Sequence, residues 1–113
     1  MSLLKSFVYA FIGFKTALIE QRNMKIHIVA AAIAISLGFY FNINSFDWIV
    51  VLILIGMVIS FELINTAIEY LTDLVTKEQH PIAGKVKDIA AAAVLVIAIT
   101  SLIIGIIIFS KYV

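Results

Sequence analysis

The chain has 113 residues, 64% of them hydrophobic and 13% charged, with a net charge of +1 and no cysteine. A soluble domain carries about 25% charged residues, and disordered segments are more polar still, so a water-soluble globule and intrinsic disorder are both excluded. The lack of cysteine rules out disulfide scaffolds and thiolate metal sites, and so small a net charge makes no field to recruit nucleic acid.

The first 25 residues read as an amphipathic helix. At about 100° per residue, Leu3, Phe7, Phe11, Phe14 and Leu18 share an arc of about 80°, with Lys5, Tyr9 and Thr16 opposite. Ile12 and Ile19 interrupt the pattern. No apolar run ending in a small-residue cleavage site follows Lys5, so this is not a signal peptide. Its expected place is flat on a membrane surface; the alternative is a core helix packed on a bundle.

Three stretches then qualify as transmembrane helices: residues 26–41, 48–71 and 89–109, against the roughly 20 residues a span requires. Residues 42–47 read as a turn, with Ser45 or Asp47 as N-cap of the second span. Residues 72–88 form a charged connection that holds the only proline, Pro81, beside Gly84. His80, just before that proline, is expected to be extended. Small residues at 90–93, Ala98, Ser101 and Gly105 on the third span, and Gly56 and Ser60 on the second, favour close helix contact. The fold class is an all-α integral membrane protein, one domain over residues 1–113. Seven of the eight Lys and Arg residues lie before the first span or in the 72–88 connection, and only Lys111 lies on the other side. Cationic loops stay in the cytoplasm, so the N-terminus and the second connection are expected there, in a cell membrane.

The second span ends in a polar face. Glu62, Asn65, Glu69 and Asp73 follow at intervals of three, four and four, which puts them in one helical stripe about 80° wide and about 16 Å long. Glu62 lies within or just under the hydrocarbon boundary, where a carboxylate costs at least about 2.5–3.5 kcal/mol. It must therefore face the bundle interior, a partner cation or a metal. Hard oxygen donors of this kind suit Mg²⁺, which takes one or two carboxylates and completes its shell with phosphate oxygens and water. Pairing with Lys85 or Lys87 is the competing reading, and for Asp73 it carries equal weight. Lys85, Lys87 and Asp88 lack the glycine and serine or threonine of a P-loop. Alone, such lysines are boundary anchors; beside the acidic stripe they become candidate phosphate ligands. His27 and His80 lie too far apart in sequence for a ligand spacing, and His27 reads as an interfacial or core residue. Tyr9 and Trp48 read as interfacial aromatics.

These residues are also familiar. The run ELINTAIEYLTD, Glu62 to Asp73, resembles the signature segment of the prokaryotic diacylglycerol kinase family, which includes undecaprenol kinases. His80 with the run AGKVKDIAAAAV from Ala83 to Val94 is similar to the family's second motif, and EQRNMKIH from Glu20 to His27 resembles a third. The resemblance implies a homotrimer of three-span subunits with an amphipathic surface helix and composite sites between subunits. It implies transfer of the γ-phosphate of ATP, with Mg²⁺, to the hydroxyl of a membrane lipid. By motif position it makes Glu62 the general base, Glu69 a metal ligand, and Asn65 and Asp73 supporting residues. Lys87 and Asp88 would hold nucleotide, with His80 and Tyr9 near it. Where the family places a second metal-binding glutamate this chain has Gln21, and the acid is its neighbour Glu20. One helical residue swings a side chain by about 100°, so either Glu20 reaches the metal through a local shift or Gln21 offers a carbonyl. The run from Arg22 to His27 inclines the acceptor toward undecaprenol over diacylglycerol. A small oligomer conducting ions or protons is the alternative that interior acids suggest, and a non-catalytic helper subunit is a third.

Overall fold

Without water, an apolar run satisfies its own backbone only as a helix. The computed structural model, which describes residues 2–113, is accordingly four helices: α1 (Leu3–Glu20), α2 (Arg22–Phe41), α3 (Ser45–Val75) and α4 (Pro81–Ser110). No strand occurs among the described residues. The last three helices are each long and apolar enough to cross a membrane. Four hydroxyls on them, those of Ser36, Thr66, Thr72 and Thr100, each donate to the carbonyl four residues earlier.

Ser2 caps α1, accepting from the Lys5 N–H at 3.3 Å. The helix stops at Gln21, whose backbone is extended (φ −109°, ψ 116°) before α2 begins at Arg22. This alters the expectation for Glu20 and Gln21. A swing of about 100° per residue belongs to a continuous helix, and position 21 is the joint between two. Most of α1 is uncovered: Leu3, Phe7 and Phe11 are exposed, while Ala17 is buried near the joint. Lys5 and Tyr9 on the opposite side are exposed as well.

Asn42, in the left-handed region (φ 55°), ends α2 and lets the Ile43 N–H reach back to the Gly38 carbonyl at 3.1 Å. The N-cap of α3 is Asn44 and not Ser45 or Asp47; its Oδ1 accepts from the Asp47 N–H at 2.8 Å. Asp47 does different work. Only 2% exposed, it accepts from Lys111 Nζ at 3.0 and 2.9 Å and from Tyr112 Oη at 2.6 Å. Tyr112 Oη in turn accepts from the Asn44 N–H at 3.1 Å. The lone cation of the far side thus fastens the end of α4 to the start of α3, over a small core of Ile43, Val51 and Ile108.

Trp48 packs on Gly38, with Phe39 against its ring at 4.9 Å between centroids. A Cβ on Gly38 would lie 2.5 Å from the indole. Gly38→Ala is expected to lower stability by about 1–3 kcal/mol through overpacking, read as an earlier transition in detergent unfolding, with Gly56→Ala, which meets open space, as the neutral control.

α3 holds the layout together, touching each of the other helices and packing most extensively on α4. Its 31 residues make a rod of about 46 Å, longer than the ~30 Å hydrocarbon core. Counting about 20 residues from Trp48 reaches Ala67, so the last two turns of α3 stand clear of the core. The 72–88 connection is correspondingly shorter than its charge suggested. Residues 76–80 alone are non-helical, His80 is extended (φ −118°, ψ 134°), and Pro81 opens α4 at a position where its missing N–H costs nothing. A charged sequence at the mouth of a span is still free to be helix.

Candidate active site

The polar stripe of α3 runs from buried to wet. Glu62 is 1% exposed, Asn65 and Thr66 are buried, Glu69 is half-buried and Asp73 is exposed. Glu62 faces α2, with His27 Nε2 lying 3.5 Å from its Oε2. Neither Glu62 carboxylate oxygen accepts a hydrogen bond. Thr66 leaves the carboxylate alone and donates to the Glu62 backbone carbonyl at 2.9 Å. One turn on, Asn65 Nδ2 donates to Glu69 Oε1 at 3.3 Å, and Asn65 Oδ1 is buried without a partner. Glu62, Asn65 and Glu69 are thus presented together on the protein side of α3.

Asp73 takes the competing reading: Lys87 Nζ of α4 sits 2.6 Å from its Oδ1. The two border a cleft of about 490 Å³ at the α3–α4 connection, with Thr72, Thr76, Lys77 and His80. His80 is also the N-cap of α4, its Nδ1 accepting from the Ile82 N–H at 3.1 Å. Asp88 is exposed on α4 and Tyr9 on α1. The backbones of α1 and α4 do not pack together among the described residues.

Glu20 at the end of α1 meets α3 beside the stripe. Tyr70 Oη donates to Glu20 Oε1 at 2.7 Å, and Tyr70 follows Glu69 in the chain, so the glutamate at the helix joint is tied to the neighbourhood of Glu69. The donors fit a hard divalent cation in kind. Glu69 keeps one oxygen free of its Asn65 bond and Glu20 one free of its Tyr70 bond. No three His, Asp or Glu side chains among the described residues gather tightly enough to hold a metal unaided; a magnesium arriving with its own phosphate and water ligands asks for only one or two carboxylates.

Two members of this arrangement went unread in the sequence, His27 as the neighbour of Glu62 and Tyr70 as the anchor of Glu20. A matching of depths would have found the first. An ionisable residue on α2 and another on α3, both within the apolar stretch, need company there.

Residues 8–109 match the family model described as prokaryotic diacylglycerol kinase. The chain is 43% identical over 105 residues to an undecaprenol kinase of Bacillus subtilis (strain 168), covering 93% of this chain and 85% of that protein. A diacylglycerol kinase of Synechocystis sp. is 36% identical over 105 residues, 92% of this chain and 60% of that protein. One from Escherichia coli (strain K12) is 26% identical over 101 residues, 89% of this chain and 83% of its own length.

Proposed function

The chain belongs to the prokaryotic diacylglycerol kinase family, and from that premise we propose that it is an ATP- and Mg²⁺-dependent kinase of a membrane lipid alcohol, acting at the cytoplasmic surface. Undecaprenol is the favoured acceptor and diacylglycerol the second, an order supported by the higher identity to the undecaprenol kinase. Family membership favours this reading over ion conduction by the same acids. The observation that carries it is Glu62, a carboxylate buried at 1% exposure just inside the membrane boundary with no hydrogen bond to either oxygen. So costly a placement is what a base for a lipid hydroxyl requires, because that hydroxyl comes no further than the boundary.

Phosphoryl transfer asks a protein chiefly for positioning and charge neutralisation. Glu62 takes the proton of the lipid hydroxyl as the oxygen attacks the γ-phosphorus. Asn65 steadies Glu69 across one helical turn. Glu69 and Glu20 would hold magnesium, which when bound neutralises the phosphates. Lys87 would exchange Asp73 for phosphate oxygens, with Asp88, His80 and Tyr9 completing the nucleotide's surroundings and Asp73 left to orient the lysine. Gln21, at the joint, is a second oxygen donor within reach of the same region. Because the backbones of α1 and α4 do not pack together, Tyr9 joins Lys87 and Asp88 on this reading from a neighbouring copy, in a homotrimer with composite sites. The N-terminus and the α3–α4 connection lie in the cytoplasm on this reading, where ATP is found.

Purified protein given γ-labelled ATP, Mg²⁺ and each lipid alcohol in one detergent is expected to move label into the extractable lipid, faster with undecaprenol, and to stop when the metal is chelated. Label that stays in the aqueous phase with both lipids would refute the proposal.

A further inference from the structure

A base buried as deeply as Glu62 has a second difficulty once it has done its work. The proton it takes has no path to water through Glu62 itself, which is 1% exposed. The titratable groups that face it are His27 from α2 and Glu69 from its own helix. From α1, Glu20 is engaged by Tyr70, and from α4, Lys87 is engaged by Asp73. His27 differs from all of these, because its Nε2 lies 3.5 Å from Glu62 Oε2 while its side chain is 15% exposed. It lies against the buried carboxylate and still keeps part of its own surface open.

Resting on the reading of Glu62 as base, we infer that His27 is the exit for the proton that Glu62 abstracts. The resting pair stands 3.5 Å apart, at the limit of hydrogen-bond contact. The exit requires an imidazole that carries its proton on Nδ1 and turns an unprotonated Nε2 toward the carboxylate. Turnover changes the carboxylate. As the lipid oxygen bonds to the γ-phosphorus and the bond from that phosphorus to the bridging oxygen of ADP breaks, the hydroxyl proton passes to Glu62. The neutral carboxylic acid now has a donor to offer, and Oε2–H closes on Nε2. The imidazole takes that proton and releases the one on Nδ1 to water, so Glu62 is again a carboxylate. A ring flip, or exchange of the Nε2 proton for one on Nδ1 through water, restores the starting tautomer, and the net change is one proton delivered to solvent. His27 acts only through Glu62 and need not touch lipid or nucleotide.

The test is kinetic. His27→Gln retains a polar side chain of similar reach but cannot pass a proton on. It is expected to lower kcat by at least about tenfold, short of the 10²–10⁴ that a general base is itself worth, with KM for ATP and for the lipid unchanged. The double variant His27→Gln/Glu62→Gln is expected to be no slower than Glu62→Gln alone. Added imidazole is expected to restore His27→Ala in proportion to its free-base concentration, and substituted imidazoles to do so in order of basicity, a dependence that a role in packing does not produce. Wild-type kcat in His27→Gln overturns the inference while an inactive Glu62→Gln leaves the base standing. So do independent, multiplicative losses in the double variant. Loss of helical circular dichroism in both His27 variants, with no response to imidazole, assigns His27 to structure and overturns it too. Full activity in Glu62→Gln removes the base and the exit together.

Discussion

Glu62→Gln is expected to lower lipid phosphorylation by about 10²–10⁴-fold, the range a general base supplies, while the fold becomes no less stable. The two signs together are what distinguish this prediction. The carboxylate is 1% exposed and makes no hydrogen bond, so the folded chain bears the cost of holding an unsolvated charge. Glutamine has the same size and shape and removes the charge, leaving His27 with a neutral neighbour. Phosphorylation rates and detergent unfolding, measured on the same preparation, check both halves. A variant that loses activity and stability in step would make Glu62 a structural residue, and one that keeps its activity would end its candidacy as base.

The second large effect is expected at Glu69. Glu69→Gln should reduce turnover by at least about 100-fold, because charge stabilisation by a metal at the phosphoryl group is worth several kcal/mol and each 1.36 kcal/mol is a factor of ten. Some of the loss should return at high Mg²⁺, since the amide oxygen remains a weak donor and Glu20 is untouched. Binding of Mn²⁺ with ATP, followed by electron paramagnetic resonance, should weaken in Glu69→Gln and remain normal in Glu62→Gln. Equal metal affinity in wild type and Glu69→Gln would separate Glu69 from the metal.

Much of this molecule was legible before any coordinates. The three apolar helices, the exposed aromatic face of α1 and the grouping of Glu62, Asn65 and Glu69 on one side of α3 follow from period and hydropathy, which report local geometry. The family followed from the motifs on α3 and α4. Helix ends were harder. Hydropathy registers transfer out of water and says nothing of hydrogen bonding, so the polar turns from Thr72 to Val75 and from Pro81 to Asp88 looked like connection although they are helical. Capping at the start of α3 went to Asn44 because its side chain reaches the Asp47 N–H, and Asp47 was left for Lys111 and Tyr112, more than sixty residues away.

The contacts that complete the site lay beyond any spacing rule. His27 and Glu62 are 35 positions apart on different helices, and Glu20 and Tyr70 are 50 apart. A helical period relates residues within one rod only. The break at Gln21 matters for the same reason: with α1 and α2 joined at an extended residue, the angle between Glu20 and Gln21 is set by the joint, and the bond to Tyr70 decides where Glu20 goes.

The most direct test of the account is to locate Mn²⁺, bound together with a non-hydrolysable ATP analogue, by its anomalous scattering in crystals of the full-length protein. The account predicts a peak on the Glu69 carboxylate with Glu20 beside it, and the γ-phosphate lying between that metal and Glu62. A peak on Asp73, or on phosphates remote from Glu62, would contradict it.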